Sequence, residues 1–231
     1  MTPLSQEWNR ITLGELVRQE SPICYGVLKP GEFTPDGVPL VRIMDLEGDK
    51  VRTNGLFRIS SALDREFSRS RLRGGELLLS IQGTIGRVAL AEDYYLSGAN
   101  ISRTIARIDM REDADPRFYR HWFLSDEGQK KLFDTVVGTT RASLNLGDVR
   151  LIQLPHPPKS EQARIAEVLD NLDEAIGGTE SVVQKLETSR QGLLRDLLTL
   201  GVDKSGNVRS KEDRSTFQDT PLGPLPRSWS V

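Results

Sequence analysis

Apolar positions across residues 160–201 recur with the period of an α-helix. Ile165, Leu172, Leu186, Leu193 and Leu200 fall on a seven-residue spacing shared with Thr179, and Val168, Leu169, Ala175, Ile176, Val182, Val183 and Leu197 widen the stripe. The pattern predicts one helix of about 40 residues, about 60 Å long. Pro157 and Pro158 close it off upstream, Ser160 is placed to cap it, and Glu161 meets the positive end of its dipole. Gly201 stands where a C′ glycine ends a helix. The weak point is Gly177-Gly178, because each glycine costs about 1 kcal/mol relative to alanine and can bend or split the helix. Such a stripe calls for a second helix along it, the alternative being that it packs back onto its own domain.

Upstream the text is different. Trp8, Ile11, Leu13, Leu16 and Val17 describe a strand or turn leading into a short helical segment opened by Thr12. From residue 21 to 57, Pro22, Gly26, Pro30, Gly31, Pro35, Gly37 and Pro39 separate short runs such as Leu40-Val41-Arg42-Ile43, which predicts strands and turns. Residues 63–71 allow a helical turn or two, stopped by Gly74-Gly75 before the apolar run 76–81 of a buried strand. Gly83-Thr84-Ile85-Gly86 then sits between two strands and reads as a hairpin turn or, alternatively, as a clamp on a phosphate backbone. Residues 100–108 predict one strand, although neither of its faces is cleanly apolar. Asp115-Pro116 opens an amphipathic helix, a second helix follows over 127–136, and 138–148 is polar and glycine-bounded, an exposed loop. A last short strand, 151–155, leads to the long helix. Residues 202–220 are polar and read as a linker.

Composition narrows the classes. The content of 37% hydrophobic residues is enough for a real core, and the net charge is −2. Lys plus Arg equals Asp plus Glu over residues 1–150, at 21 each, which argues against coating nucleic acid by bulk charge while leaving room for a local basic face. No apolar run approaches membrane-spanning length, and residues 1–7 lack the marks of a signal peptide, so a soluble cytoplasmic protein is expected. The single Cys24 allows no internal disulfide, and with His121 and His156 it forms no metal-ligand spacing. Neither a phosphate-binding G-x-x-x-x-G-K-[ST] loop nor an H-E-x-x-H motif is present, and no nucleophile partners the histidines. No catalytic residue, metal or cofactor is therefore expected.

The order of parts resembles the DNA-specificity (S) subunit of type I restriction-modification enzymes, as half of one. The resemblance is carried by Trp8 with Leu13-Gly14-Glu15-Leu16, Gly37-Val38-Pro39-Leu40-Val41-Arg42, Leu72-Arg73-Gly74-Gly75-Glu76, Gly83-Thr84-Ile85-Gly86, Gly138-Thr139-Thr140-Arg141, and Leu144-Asn145-Leu146. Its strongest part is Leu154-Pro155-His156-Pro157-Pro158-Lys159-Ser160-Glu161-Gln162-Ala163-Arg164-Ile165. The family more often has Gly-Asp where this chain has Gly75-Glu76, which keeps the charge. Thr220-Pro221-Leu222 leading to Trp229 repeats Thr2-Pro3-Leu4 leading to Trp8, as if a second copy of the first domain began.

The resemblance implies an α+β protein: a mixed α/β target-recognition domain over residues 1–158, one long coiled-coil-forming helix over 159–201, and a linker with the start of a second recognition repeat over 202–231. It implies a non-catalytic subunit that binds double-stranded DNA and docks methyltransferase subunits, with a restriction subunit as a further partner. Loops of such a domain face the major groove, which nominates Gln82, Thr84, Asn100, Arg103, Thr139, Thr140 and Arg141. The residue types fit: arginine pairs with guanine, Asn and Gln with adenine, and Thr with phosphate or base edges. Each is equally a turn or surface residue by type alone. Arg65, Arg69, Arg71 and Arg73 make the densest basic run, with Asp64 and Glu66 among them, and read either as a phosphate grip or as a solvated face. Ile165, Leu172, Leu186 and Leu193 are the expected helix-pairing positions. Two alternatives stay open: a half-subunit that homodimerises through its helix on a palindromic site, and a coiled-coil adaptor with no DNA role.

Overall fold

The computed structural model describes residues 8–91, 96–137, 143–210, 214–221 and 223–229. The chain divides into two units, Met1–Leu169 and Asp170–Val231. In the first, β1 (Asn9–Thr12) runs into a one-turn helix α1 (Leu13–Leu16), whose N-cap Thr12 donates its N–H and hydroxyl to Glu15, at 2.9 and 2.5 Å. Those bonds hold the Glu15 carboxyl below its usual value. There follow β2 (Cys24–Tyr25), β3 (Val38–Val41), a 3₁₀ turn at Ile43–Asp45, β4 (Leu46–Glu47), β5 (Lys50–Val51), β6 (Phe57–Ile59), α2 (Ser61–Glu66), β7 (Leu77–Ser80) and β8 (Val88–Leu90). The chain continues through β9 (Asn100–Ile101), β10 (Ile105–Ile108), α3 (Pro116–Leu124), α4 (Asp126–Asp134), β11 (Val136–Val137), β12 (Ser143–Leu144), α5 (Leu146–Arg150) and β13 (Gln153–His156).

Two sheets carry the domain. One has the order β2-β10-β7-β8, all antiparallel, and the other β6-β3-β9, with β3 and β9 parallel. The largest core cluster lies between β7, β8, β10 and α3, where Leu77, Leu79, Val88, Ile108, Tyr119 and Phe123 are buried. Full burial of such side chains is worth about 1.5–3 kcal/mol each. A separate antiparallel pair, β1 with β13 from Asn9↔His156 to Thr12↔Gln153, ties the start of the domain to the strand that leads out of it.

Residues 100–108 are not the single strand predicted from their alternation. β9 belongs to the three-stranded sheet and β10 to the four-stranded one, and residues 102–104 turn between them. All four residues of β10 are buried, which explains why neither face looked apolar: Arg107 lies inside, 3.7 Å from the equally buried Glu76, and donates to Ser21 Oγ at 2.8 Å. The stretch 138–148, expected as a loop, contains β12 and α5 in its described part; Asn145 caps α5 by accepting from the Gly147 N–H at 2.9 Å, and Leu144 and Val149 are buried.

The long helix is α6 (Lys159–Leu200), 42 residues without a break, Gly177 and Gly178 included. It starts one residue before the predicted cap: the Pro158 carbonyl accepts from the Glu161 and Gln162 N–H groups at 2.8 and 3.0 Å, so Ser160 is inside the first turn. Gly201, at φ +65°, ends it, its N–H donating to the Leu197 carbonyl. In the second unit, residues 202–208 are folded into a turn around Asp203, whose carboxylate accepts from the Ser205 and Asn207 N–H groups at 2.8 and 2.9 Å. A hairpin follows, β14 (Phe217–Thr220) with β15 (Gly223–Pro226). The predicted linker is thus structured over much of its length. Among the described residues no helix is long and apolar enough to cross a membrane.

Candidate nucleic-acid interface

Several strands of the first unit end along one edge, where backbone hydrogen bonds lace their loops together. The Val27 N–H donates to Ile101 O at 2.8 Å, Arg103 N–H to Val27 O at 2.9 Å, and Ser102 N–H to Val41 O at 2.9 Å, so the ends of β2, β9 and β3 lie side by side. The Ile81 N–H donates to Thr104 O and the Leu144 N–H to Ile81 O, at 2.8 and 2.9 Å, which adds the ends of β7 and β12. A groove of about 340 Å³ opens there, lined among others by Tyr25, Leu28, Gln82, Arg103 and Asn145.

The hairpin turn between β7 and β8 is held from within. Ser80 Oγ donates to the Thr84 carbonyl at 2.6 Å and accepts from the Arg87 N–H at 2.8 Å. Gly83 and Gly86 have φ of +81° and +85°, a region that a side chain disfavours, so glycine at both positions is what the turn requires. Both flanks are strands, as the hairpin reading had it. Thr84 is exposed at the tip and Gln82 half-buried beside the groove, bridged through its backbone to Ser143.

Gln82 and Arg103 therefore meet at one groove, where Arg103 is exposed, and Thr84 stands two residues on from Gln82 in the adjoining hairpin turn. Asn100 is not among them, which corrects the expectation. It has no exposed surface; its Nδ2 donates to Asp64 Oδ1 and to the Phe67 carbonyl at 3.0 and 3.1 Å, and its Oδ1 accepts from Ser70 Oγ at 2.6 Å. An amide committed to four polar neighbours in the interior is a structural group. Thr139, Thr140 and Arg141 lie outside the described residues. Of the basic run, Arg71 is clamped on the buried Asp64, while Arg65, Arg69 and Arg73 are exposed. The pattern gave no notice of Tyr25 and Leu28, large apolar side chains 37% and 48% exposed at the groove.

At the foot of α6 a second polar cluster joins helix to domain. Gln162 is fully buried: its Oε1 accepts from the Asp115 N–H at 2.8 Å, and its Nε2 donates to the carbonyls of Pro157 and Asp113 at 2.8 and 3.2 Å. Tyr119 OH lies 2.8 Å from His156 Nδ1. Burial pushes the Tyr119 hydroxyl far above its usual range, so it stays protonated, and His156 Nε2 lies 3.5 Å from the Asp113 carboxylate. Ile165 packs against the domain core from the same turns of the helix, so it serves the joint with its own domain. Leu172, Leu186 and Leu193 are 54%, 64% and 57% exposed, as are Ile176, Val182 and Leu198 to similar degrees. Among the described residues no group of His, Cys, Asp and Glu is arranged to hold a metal.

The family model for the type I restriction modification DNA specificity domain matches residues 6–188. The chain belongs to that family. Its specificity domain is 31% identical over 170 residues to the type I restriction enzyme EcoBI specificity subunit of Escherichia coli, a match that covers 73% of this chain and 35% of that protein. It is 24% identical over 203 residues to the putative type I restriction enzyme MjaX specificity subunit of Methanocaldococcus jannaschii, covering 84% of this chain and 45% of the relative. The chain thus spans about a third to a half of the length of these curated relatives, both of them specificity subunits. A similar fold occurs in the HsdS subunit of Thermoanaerobacter tengcongensis, with a TM-score of 0.55 at 19% identity over 78% of this chain and 41% of that one. The S subunit from M. genitalium gives 0.55 at 16% identity, over 88% and 49% of the two chains. A chain from a type I R-M system solved for its complex assembly and conformational transition gives 0.60 at 21%, over 83% and 45%.

Proposed function

We propose that this chain selects one half of a split double-stranded DNA site for a type I restriction-modification complex. Residues 1–158 supply the reading surface, the helix over 159–201 sets the domain against its partners, and 202–231 belongs to the next recognition repeat. The observation that carries this reading is the convergence of Gln82 and Arg103 on one groove built from strand ends, with Thr84 on the adjoining hairpin turn, in a chain of this family. These side chains offer an amide and a guanidinium, which read adenine and guanine in the major groove, and a hydroxyl, which reaches phosphate or base edges. Methyltransferase subunits, docked on α6 and the adjoining surface, supply the chemistry, a restriction subunit joins the same complex, and the chain works in the cytoplasm.

Fluorescence anisotropy on a pool of random duplexes, with and without the methyltransferase subunit, tests the reading. Saturable binding that enriches a sequence is expected, with log affinity falling linearly against log salt. No binding to any duplex in either case would leave the coiled-coil adaptor as the better account. A second reading is a homodimer paired through α6 on a palindromic site, favoured by the stripe of half-exposed Leu172, Ile176, Leu186 and Leu193, more apolar surface than a stable monomer usually shows. Light scattering at micromolar concentration distinguishes the two, a clean monomer counting against self-pairing.

A further inference from the structure

Beside the β7–β8 hairpin stands a second turn, Ile43–Asp45, that the groove residues do not include. Met44 is 61% exposed at its tip, while the residues on either side are tucked in. The turn is pinned from below. The Asp45 carboxylate has no exposure and accepts from the Arg42 N–H at 2.9 Å and Arg52 Nη2 at 2.6 Å; the Asp45 N–H donates to Arg42 O and the Arg52 N–H to Asp45 O, both at 2.8 Å. Arg87, from the hairpin, donates to the Leu46 carbonyl at 3.0 Å. The two turns abut: a Cβ on Gly83 would stand 3.7 Å from Ile43 Cδ1. The strand leading into this turn ends on the same edge, through Ser102 N–H to Val41 O.

A rigid scaffold thus holds a flexible apolar side chain in the open next to the hairpin that carries Gln82 and Thr84, which offer hydrogen-bonding groups. The major groove has the complementary makeup: its donors and acceptors are interrupted by a single kind of apolar group, the thymine 5-methyl. A methionine, unbranched and polarizable, suits contact with a small apolar group whose position shifts with local DNA geometry. Resting on the DNA reading above, we infer that Ile43–Asp45 is a second reading element, in which Met44 packs on the 5-methyl group of a thymine within the half-site.

The test uses the full chain together with its methyltransferase subunits and the duplex motif enriched from a random pool. Each thymine of that motif is replaced in turn by deoxyuridine, which deletes only the methyl. Loss of one methyl contact corresponds to about fourfold in affinity. Wild type should lose about fourfold at one thymine and nothing elsewhere. Met44→Ala should bind the parent duplex about fourfold more weakly and be indifferent to deoxyuridine at that position, while Met44→Leu retains the discrimination. The inference is overturned if wild type ignores every replacement, or if Met44→Ala keeps the full penalty. It is also overturned if Met44→Ala enriches the same motif with the same affinity but no longer assembles with the methyltransferase, the outcome for a protein-docking residue. A wild type that enriches no motif overturns the DNA reading itself, and this inference with it.

Discussion

Replacing Gln162 by alanine should unseat the first turns of α6 from the domain. The side chain is fully buried and its amide satisfies one main-chain N–H and two main-chain carbonyls, of Asp115, Pro157 and Asp113. An orphaned buried group costs about 1–3 kcal/mol. Some of these groups recover water in the space left behind, so the loss comes to about 3–4 kcal/mol rather than the full sum. At roughly 3 °C per kcal/mol for a unit of this size, the melting temperature of the domain should fall by about 10 °C. Gln162→Glu adds a signed prediction. Its carboxylate still accepts from the Asp115 N–H, but it has nothing to donate to two carbonyls, so burial and those oxygens raise its folded pKa above the unfolded value of about 4.3. A raised folded pKa gives stability present below the unfolded value and lost as pH rises through the folded one. Gln162→Glu should therefore lose ground to Gln162→Ala as pH rises above about 4.5. Thermal and urea unfolding followed by far-UV circular dichroism and tryptophan fluorescence measure both effects. An alanine variant within about 1 kcal/mol of wild type, or parallel pH profiles for the two variants, would refute the reasoning.

Asn100→Ala should destabilise the domain by about 2–4 kcal/mol in the same assay, since it leaves Asp64, Ser70 and the Phe67 carbonyl short of a buried partner, and any loss of DNA binding should track the fraction unfolded. Changing Gly177 and Gly178 to alanine together, at sites with nothing within 4 Å of an added Cβ, should stabilise α6 by about 0.5–1 kcal/mol per residue, read as a gain in helicity and melting temperature. Leu186→Glu with Leu193→Glu should leave the melting of the first domain unchanged and reduce the assembled mass seen by light scattering, because both side chains are more than half exposed in the chain itself. Hydrogen bonding from Arg111, ahead of burial, holds the Asp113 carboxyl below its usual value. That contribution is complete above about pH 4 and vanishes as pH falls through the lowered value, so Arg111→Gln should flatten the acid limb of the stability profile by a small, salt-sensitive amount.

The elements decided by local chemistry are the ones their residues announce. α6 follows from the spacing of Leu172, Leu186 and Leu193, α3 from Asp115-Pro116, where Asp115 accepts from the Arg117 N–H at 3.0 Å, and the hairpin from Gly83 and Gly86. What stays hidden depends on partners far along the chain. The break between β9 and β10 leaves no mark in residues 100–108, where Ile101, Thr104, Ile105 and Ile108 recur with no glycine or proline between them, because it is set by which sheet has an open edge. Asn100 has the right chemical type for reading adenine, and only the fold shows that Asp64 and Ser70 already claim it. The cap at Asn145 was legible in principle, a side-chain acceptor just ahead of Gly147-Asp148, but polar composition masked it. The pinned turn at Ile43–Asp45 carries a signal of the same kind, Asp45 three residues after Arg42, as in a capping box.

The seam at residues 102–104 has a consequence for how this domain can vary. Its hydrogen bonds run through main-chain atoms and through the hydroxyls of Ser102 and Thr104, which lie 2.7 Å apart; at position 103 it is the backbone N–H that joins the seam, on Val27 O. The exposed side chain there takes no part in the seam among the described residues. A lineage can exchange Arg103 for another residue, and so alter what the edge prefers, without retuning the two cores on either side.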